Sequence, residues 1–107
     1  DIRNSGTLAG LADDDAVEVP ARIGTAGPQP LVQPPLAPEL LGLVQHVAAY
    51  ERLAVEAATT GSRDLVYKAL LAHPLVGQVP QVEELTEKLL TEGREHLPQF
   101  EEREVKA

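Results

Sequence analysis

Few residues of this chain could carry chemistry, and they are scattered. It contains three histidines (His46, His73 and His96) and no cysteine. No two histidines stand four residues apart, the spacing at which one helix face presents two zinc ligands. Without cysteine there is no thiolate ligand and no disulfide within these 107 residues. We therefore expect capping or packing roles for the three histidines and assign no metal ligand.

Glu51 has the most unusual predicted surroundings of the acidic residues. A buried carboxylate needs an ion pair or hydrogen bonds. Two roles stay open: an anchor that accepts backbone N–H groups or pairs with an arginine, and a carboxylate that faces a ligand. The anchor is favoured. The helical spacing places Glu51 in an apolar stripe formed by Leu40, Leu43, Val44, Val47, Ala54 and Ala58.

Two polar clusters near the start of the chain have weaker signals. Asp13-Asp14-Asp15 lacks the glycine and the later glutamate of a calcium loop, so a solvated turn is expected. Asn4-Ser5-Gly6-Thr7 could bind an anion through backbone donors, but a plain turn is favoured. The chain has no P-loop, G-x-G-x-x-G or nucleophile elbow. We therefore assign no catalytic, cofactor-binding or metal-binding residue.

The composition narrows the classes of partner. The formal net charge is -8, which argues against binding to nucleic acid or to an anionic membrane surface. Hydrophobic residues make up 43% of the chain and aromatic residues only 3%, so its core must be aliphatic. No apolar run approaches the ~20 residues of a membrane span. A chain that starts with Asp1 and lacks methionine is expected to be a processed product or an excised piece.

The first third of the chain has a β pattern followed by a proline-rich stretch. Residues 16–23 alternate between apolar and polar, which predicts a half-buried strand, and Ile2 is expected to close another. Pro20 cannot donate a ladder hydrogen bond, so the strand should lie at an edge or stop there. We predict a β segment over residues 1–24 and an extended connector over 25–37. A ligand for an SH3-type domain is the less favoured interpretation of that connector.

Three amphipathic helices follow over residues 38–100. The first runs from Pro38 to Thr60, the second from Arg63 to Ala72 and the third from Pro80 to about Leu97. Residues 101–107 are charged and should fray. The predicted fold is an α+β fragment, mostly helical, with two short strands that make a poor sheet alone. An incomplete sheet is what a cut through a larger α/β domain would leave.

A set of short segments follows a fixed order along the chain. They are Asn4-Ser5-Gly6, Leu11 with the following acids, Val17-Glu18-Val19-Pro20, Pro38 with Leu40, Gly42-Leu43-Val44-Gln45, Tyr50-Glu51, Thr60-Gly61, Ala69-Leu70, His73-Pro74-Leu75-Val76-Gly77 and Leu97-Pro98-Gln99-Phe100. No segment is decisive alone, but their order and spacing are specific. Together they resemble the C-terminal end of glycoside hydrolase family 4 enzymes, most closely their 6-phospho-β-glucosidases. Ala12 departs from the proline that the family often has after the leucine.

This resemblance implies a lactate/malate dehydrogenase-like fold, of which the chain would be the C-terminal part of the substrate domain. It implies a cytoplasmic, homo-oligomeric parent with NAD and a divalent metal, most often manganese. Such enzymes cleave phosphorylated glycosides by oxidation at C3, elimination, addition of water and reduction, outside the two-carboxylate scheme. The family's metal ligands are a cysteine and a histidine. They have no counterpart here, so the expected role of this chain is structural and the chain alone inactive.

Two alternatives remain open on the sequence. The first is a free-standing helical module for protein interaction or oligomerisation, which would use the wide apolar face of the first helix. The second is a parent enzyme among the relatives that act on α-glycosides or uronic acids, since sugar recognition is expected to reside upstream of Asp1.

Overall fold

The computed structural model describes residues 1–101 in two compact units, Asp1–Ala48 and Ala49 onward. The predicted frayed tail, 101–107, lies almost entirely outside the described residues. Among the described residues, no helix has the length and apolar character needed to cross a membrane. The elements are β1 (Ile2–Arg3), β2 (Ala16–Val17), β3 (Ala21–Gly24), β4 (Gly27–Pro30), α1 (Pro38–Thr60), α2 (Arg63–Ala72), α3 (Val79–Glu92) and two 3₁₀ turns, Arg94–His96 and Pro98–Phe100.

The first unit contains two small antiparallel sheets. Strand β1 pairs with β2, with Ile2 opposite Val17, and β3 pairs with β4 in a hairpin that places Ala21 opposite Pro30. The hairpin turn is followed by Gly27, whose φ of 92° lies in the left-handed region that glycine adopts without strain. Each sheet has only two strands, so packing against other elements must stabilise it.

The predicted strand over residues 16–23 is divided in the structure. Pro20 separates β2 from β3, which confirms the expected interruption. The predicted buried face continues only as far as Val17 and the half-buried Val19, because Ile23 is 76% exposed. Strand β4 also extends regular structure into the predicted connector, of which the turn at residues 25–26 and residues 31–37 lie outside strands and helices.

The helices follow the sequence signals closely. The bounds of α1 and α2 are those predicted, and α3 begins one residue before Pro80. The third helix ends at Glu92 rather than near Leu97. Gly93 closes it with a backbone N–H donated to the Leu89 carbonyl, and a 3₁₀ turn follows. Because apolar residues continue at helical spacing through that turn, the sequence pattern does not show that the helix ends at Glu92.

A small, tightly packed core lies in the second unit. Ala57, Ala69 and Val82 are buried, and Val82 is fully excluded from solvent. Thr86 is also buried, and its hydroxyl donates to the Val82 carbonyl at 2.7 Å, which satisfies the only polar group of its side chain. Small side chains at these positions let the helices approach closely.

Ser62 caps the second helix, and its removal should be measurable. Its hydroxyl oxygen accepts a hydrogen bond from the Leu65 N–H at 3.3 Å. We expect Ser62→Ala to lower the free energy of unfolding by about 1 kcal/mol in urea denaturation. Ser62→Asp keeps a capping oxygen and should stay near wild type. Equal stability of the two variants would contradict the capping role.

Candidate functional site

Asn4 organises the segment that carries the first polar cluster. Its side chain is fully buried, and its amide nitrogen donates to three carbonyl oxygens: Leu8 at 3.0 Å, Leu11 at 3.2 Å and Ala12 at 3.2 Å. Its amide oxygen accepts the Leu8 N–H at 2.7 Å. One side chain therefore holds the loop over residues 8–12 closed, in place of a backbone ladder.

Three of the four backbone N–H groups of this turn already donate hydrogen bonds within the chain. The N–H groups of Asn4, Ser5 and Thr7 donate to the carbonyls of Asp15, Asp13 and Asn4, at 2.8, 3.0 and 2.8 Å. An anion would have to displace these bonds, so the geometry supports a turn and not an anion cradle. The acidic triplet is also a turn, since the Asp15 carboxylate accepts the Ala12 N–H at 3.0 Å.

The loop held by Asn4 packs on the first half of α1. The Gln45 side-chain nitrogen donates to the Gly10 carbonyl at 2.7 Å. Gly10 has a φ of 89°, and a Cβ added there would lie 3.0 Å from a methyl carbon of Leu41. The absence of a side chain at Gly10 thus allows the loop to lie against the helix.

His73 organises a second turn, at the C-terminus of α2. Its backbone N–H donates to the Leu70 carbonyl at 3.2 Å, and its ring Nδ1 accepts the Leu75 N–H at 3.1 Å. The ring also meets Tyr50 edge-on, with centroids 4.5 Å apart and planes at 80°. Because Nδ1 accepts a hydrogen bond, the neutral ring carries its proton on Nε2.

The remaining candidates lie in open surroundings. Glu51 is exposed, which corrects the expectation that its carboxylate is buried in the apolar stripe. The stripe itself is largely uncovered in this chain, since Leu40 and Leu43 are more than half exposed. His46 is exposed, and the exposed His96 lies 3.4 Å from the Glu95 carboxylate.

A shallow groove of about 600 Å³ lies along α2 and α3 in the second unit. Arg63 pairs with Glu87 across it, and both side chains are more than half exposed. In residues 1–101, no group of three or more histidine, aspartate or glutamate side chains is placed to hold a metal ion. The groove is a solvated charged surface, lined by Arg63, Asp64, Tyr67, Glu83, Glu84, Thr86 and Glu87.

Sequence reasoning missed two features of these turns: the reach of the Asn4 side chain and the contact between Tyr50 and His73. The Asn-Ser-Gly signature predicts a turn, but it does not show that the Asn4 amide reaches carbonyls up to eight residues away. The contact between Tyr50 and His73 joins residues 23 positions apart, and no local pattern reports it. Both features hold a turn in a fixed conformation.

The described chain is a mostly helical α+β fold in which two polar side chains, the buried Asn4 and the half-buried His73, hold turns in place. The chain belongs to glycosyl hydrolase family 4: the model of the "Family 4 glycosyl hydrolase C-terminal domain" matches residues 1–76. This confirms the family predicted from the order of the segments.

Individual proteins show the same likeness. The chain is 35% identical over 97 residues to the "Probable 6-phospho-beta-glucosidase" of Bacillus subtilis strain 168, covering 91% of this chain and 22% of that protein. A Thermotoga maritima 6-phospho-beta glucosidase, solved with NAD and glucose-6-phosphate, matches with a TM-score of 0.73 and 33% identity, over 89% of this chain and 23% of that one.

A structure of lower identity shows the same fold. A 6-phospho-alpha-glucosidase from gut microorganisms, solved with NAD and Mn²⁺, matches with a TM-score of 0.79 and 22% identity, over 87% of this chain and 22% of that one. These matches confirm the predicted fold class, an α+β C-terminal portion with three helices. The chain spans less than a quarter of the length of each of these relatives.

Proposed function

We propose that this chain is the C-terminal part of the substrate domain of an NAD- and divalent-metal-dependent 6-phospho-β-glucosidase. Its role there is structural: it completes the fold around a reaction centre built upstream of Asp1 and is inactive alone. The observation that carries this proposal is the combination of family membership with coverage of only about a fifth of the relatives. The β anomer rests on the B. subtilis and T. maritima relatives.

The exposed apolar surface of α1 supports the proposal that another part of a larger protein packs against this helix. Leu40, Leu43 and Val44 lie on one side of its first turns and are 53%, 55% and 37% exposed. The Leu41 and Gln45 side of the helix is the one that packs on the loop held by Asn4. Exposed apolar side chains that project at helical spacing from one side of a helix indicate a further contact surface. We propose that the upstream dinucleotide-binding domain supplies it.

The residues of this chain do not fit the cofactors of such an enzyme. The sequence has no cysteine, and residues 1–101 contain no metal-binding cluster. We therefore place NAD and the metal, manganese by likeness to the gut-microorganism enzyme, on upstream residues and derive no step of the reaction here. The substrate is proposed to be a phosphorylated glycoside. The charged phosphate would keep this substrate from crossing a bilayer, which accords with a cytoplasmic parent enzyme. We also propose that the parent is a homo-oligomer.

An activity assay on the polypeptide encoded by the whole reading frame tests this proposal. With NAD and Mn²⁺ we expect it to release p-nitrophenol from p-nitrophenyl β-D-glucoside 6-phosphate, and to lose this activity when a chelator removes the metal. The unphosphorylated glycoside is the matched control and should react poorly. Faster cleavage of the α-anomer would make the parent an α-specific enzyme, and a frame that starts at Asp1 would refute the proposal.

The exposed side of α1 also favours a second candidate, a free-standing module for protein interaction or oligomerisation. It predicts that these 107 residues unfold cooperatively and form a specific complex or oligomer on their own. Light scattering on the purified chain distinguishes the two. A single defined oligomer that Leu43→Glu disrupts would support the module, and an aggregating or loosely folded monomer would contradict it.

A further inference from the structure

We propose that the turn formed by residues 73–77 is a preformed apolar anchor, with Leu75 at its tip, which inserts into an apolar pocket of the upstream polypeptide of the parent enzyme. This inference rests on the proposed function, because it needs that upstream polypeptide. It deepens the proposal by naming the residue that makes the contact.

The exposure of Leu75 is the first observation. Leu75 is 89% exposed, the highest value among the large hydrophobic side chains of residues 1–101, and Leu71 and Val79, four residues before and after it, are 37% and 49% exposed. A leucine left in water forgoes the favourable free energy of burying its side chain. Exposed apolar side chains close together indicate an interaction site.

The order of the turn is the second observation. His73 Nδ1 accepts the Leu75 N–H, and the His73 carbonyl accepts the Val76 N–H at 3.0 Å. Gly77 continues the turn with a φ of 54°, and the ring of Tyr50 supports the imidazole. A side chain held out by a fixed backbone loses little entropy when it binds, which is the condition for an effective anchor.

The local lack of charge is the third observation. No aspartate, glutamate, lysine or arginine occurs from Ala69 to Val82, although charged residues make up 24% of the chain. Depletion of charge characterises the core of an interface and not its rim. On a chain of net charge -8, this segment is one of the stretches on which an apolar partner can dock without burying a carboxylate.

The size of the patch favours an intramolecular occupant over a second copy. Three aliphatic side chains and Pro74 offer far less than the ~800 Å² per partner of a stable protein–protein interface. A segment of the same polypeptide binds at a high effective concentration and needs no such area. The relatives supply that segment, since about four-fifths of their length lies outside the matched region.

The test compares variants of the whole parent polypeptide. We expect Leu75→Ser to lower its Tm by several degrees and to raise hydrogen exchange of amides 71–79 about tenfold or more, while Leu75→Met restores both. Val55→Ser is the matched control, because Val55 is 64% exposed on α1 beside the charged Glu56 and outside the turn, and it should change neither. His73→Phe keeps a ring against Tyr50 but removes the Nδ1 acceptor, so the Leu75 amide should exchange faster.

Each outcome decides the proposal. If Leu75→Ser has the same Tm and the same hydrogen exchange of amides 71–79 as the wild type, the proposal that Leu75 is an anchor is overturned. A lower molecular mass of Leu75→Ser in light scattering, without faster exchange in the monomer, would assign the turn to a second copy and also overturn it. Failure of the proposed function is seen separately, as absence of phosphoglycosidase activity in the wild-type parent.

Discussion

Replacing Gly61 with alanine should destabilise this chain more than any other single methyl addition that the structure allows us to assess. Gly61 has a φ of 68°, and a Cβ there would collide with the Gln99 carbonyl. The Gln99 side chain is itself fixed, since its nitrogen donates to the Ala58 carbonyl at 3.0 Å. A backbone collision cannot be relieved by a rotamer change, so we expect a loss of about 3–5 kcal/mol in urea denaturation.

Two further variants distinguish the steric collision of a Cβ at residue 61 from the cost of its left-handed backbone conformation. Gly61→Asn tolerates a left-handed φ but keeps the Cβ, so it should be nearly as destabilised if the collision dominates. Gly42→Ala is the matched control, because nothing lies within 4 Å of a Cβ at that helical position. It should stabilise α1 by about 0.5–1 kcal/mol. A mild effect of Gly61→Asn would assign the cost to backbone conformation alone.

Asn4→Ala is the second large expected effect, with a loss of about 2–4 kcal/mol. The substitution removes three donated hydrogen bonds and one accepted bond from a fully buried position. Each buried group left without a partner costs about 1–3 kcal/mol, and water entering the opened loop offsets part of the total. Urea denaturation gives the loss, and hydrogen exchange of the Leu8 and Asp15 amides reports the loop directly.

Asn4→Asp sharpens the interpretation. It keeps an oxygen for the Leu8 N–H but turns a second oxygen toward the carbonyls of Leu8, Leu11 and Ala12, so it should be at least as unstable as Asn4→Ala. Gln33→Ala is the control. It removes an amide that donates to the Leu31 carbonyl at an exposed site, and it should cost under ~0.5 kcal/mol. Stability of Asn4→Ala within that margin of wild type would disprove the network's importance.

The helical part of this fold could be predicted because its signals are local. Pro38 at the first position of α1, Gly61 after its last residue and Ser62 as the next cap fix those boundaries through backbone chemistry within a turn or two. The order of the short motifs also predicts the family, and the match to the family model confirms this prediction. The sequence does not predict strand β4 (Gly27–Pro30), because its repeated prolines favour an extended connector and its pairing with β3 is not a local property.

The sequence by itself determined the helices, the acidic and cysteine-free character of the chain, and its family. Only the tertiary structure decided that Glu51 is exposed, that Asn4 is the buried centre of a loop, and that Gly61 lies against Gln99. The physical reason is the separation along the chain of the residues that determine each property. Propensity, capping and charge depend on neighbours along the chain, whereas burial and close approach depend on which surfaces meet in space. The same distinction applies to Leu75: the turn that holds it is a local feature, but its 89% exposure is a property of the folded chain.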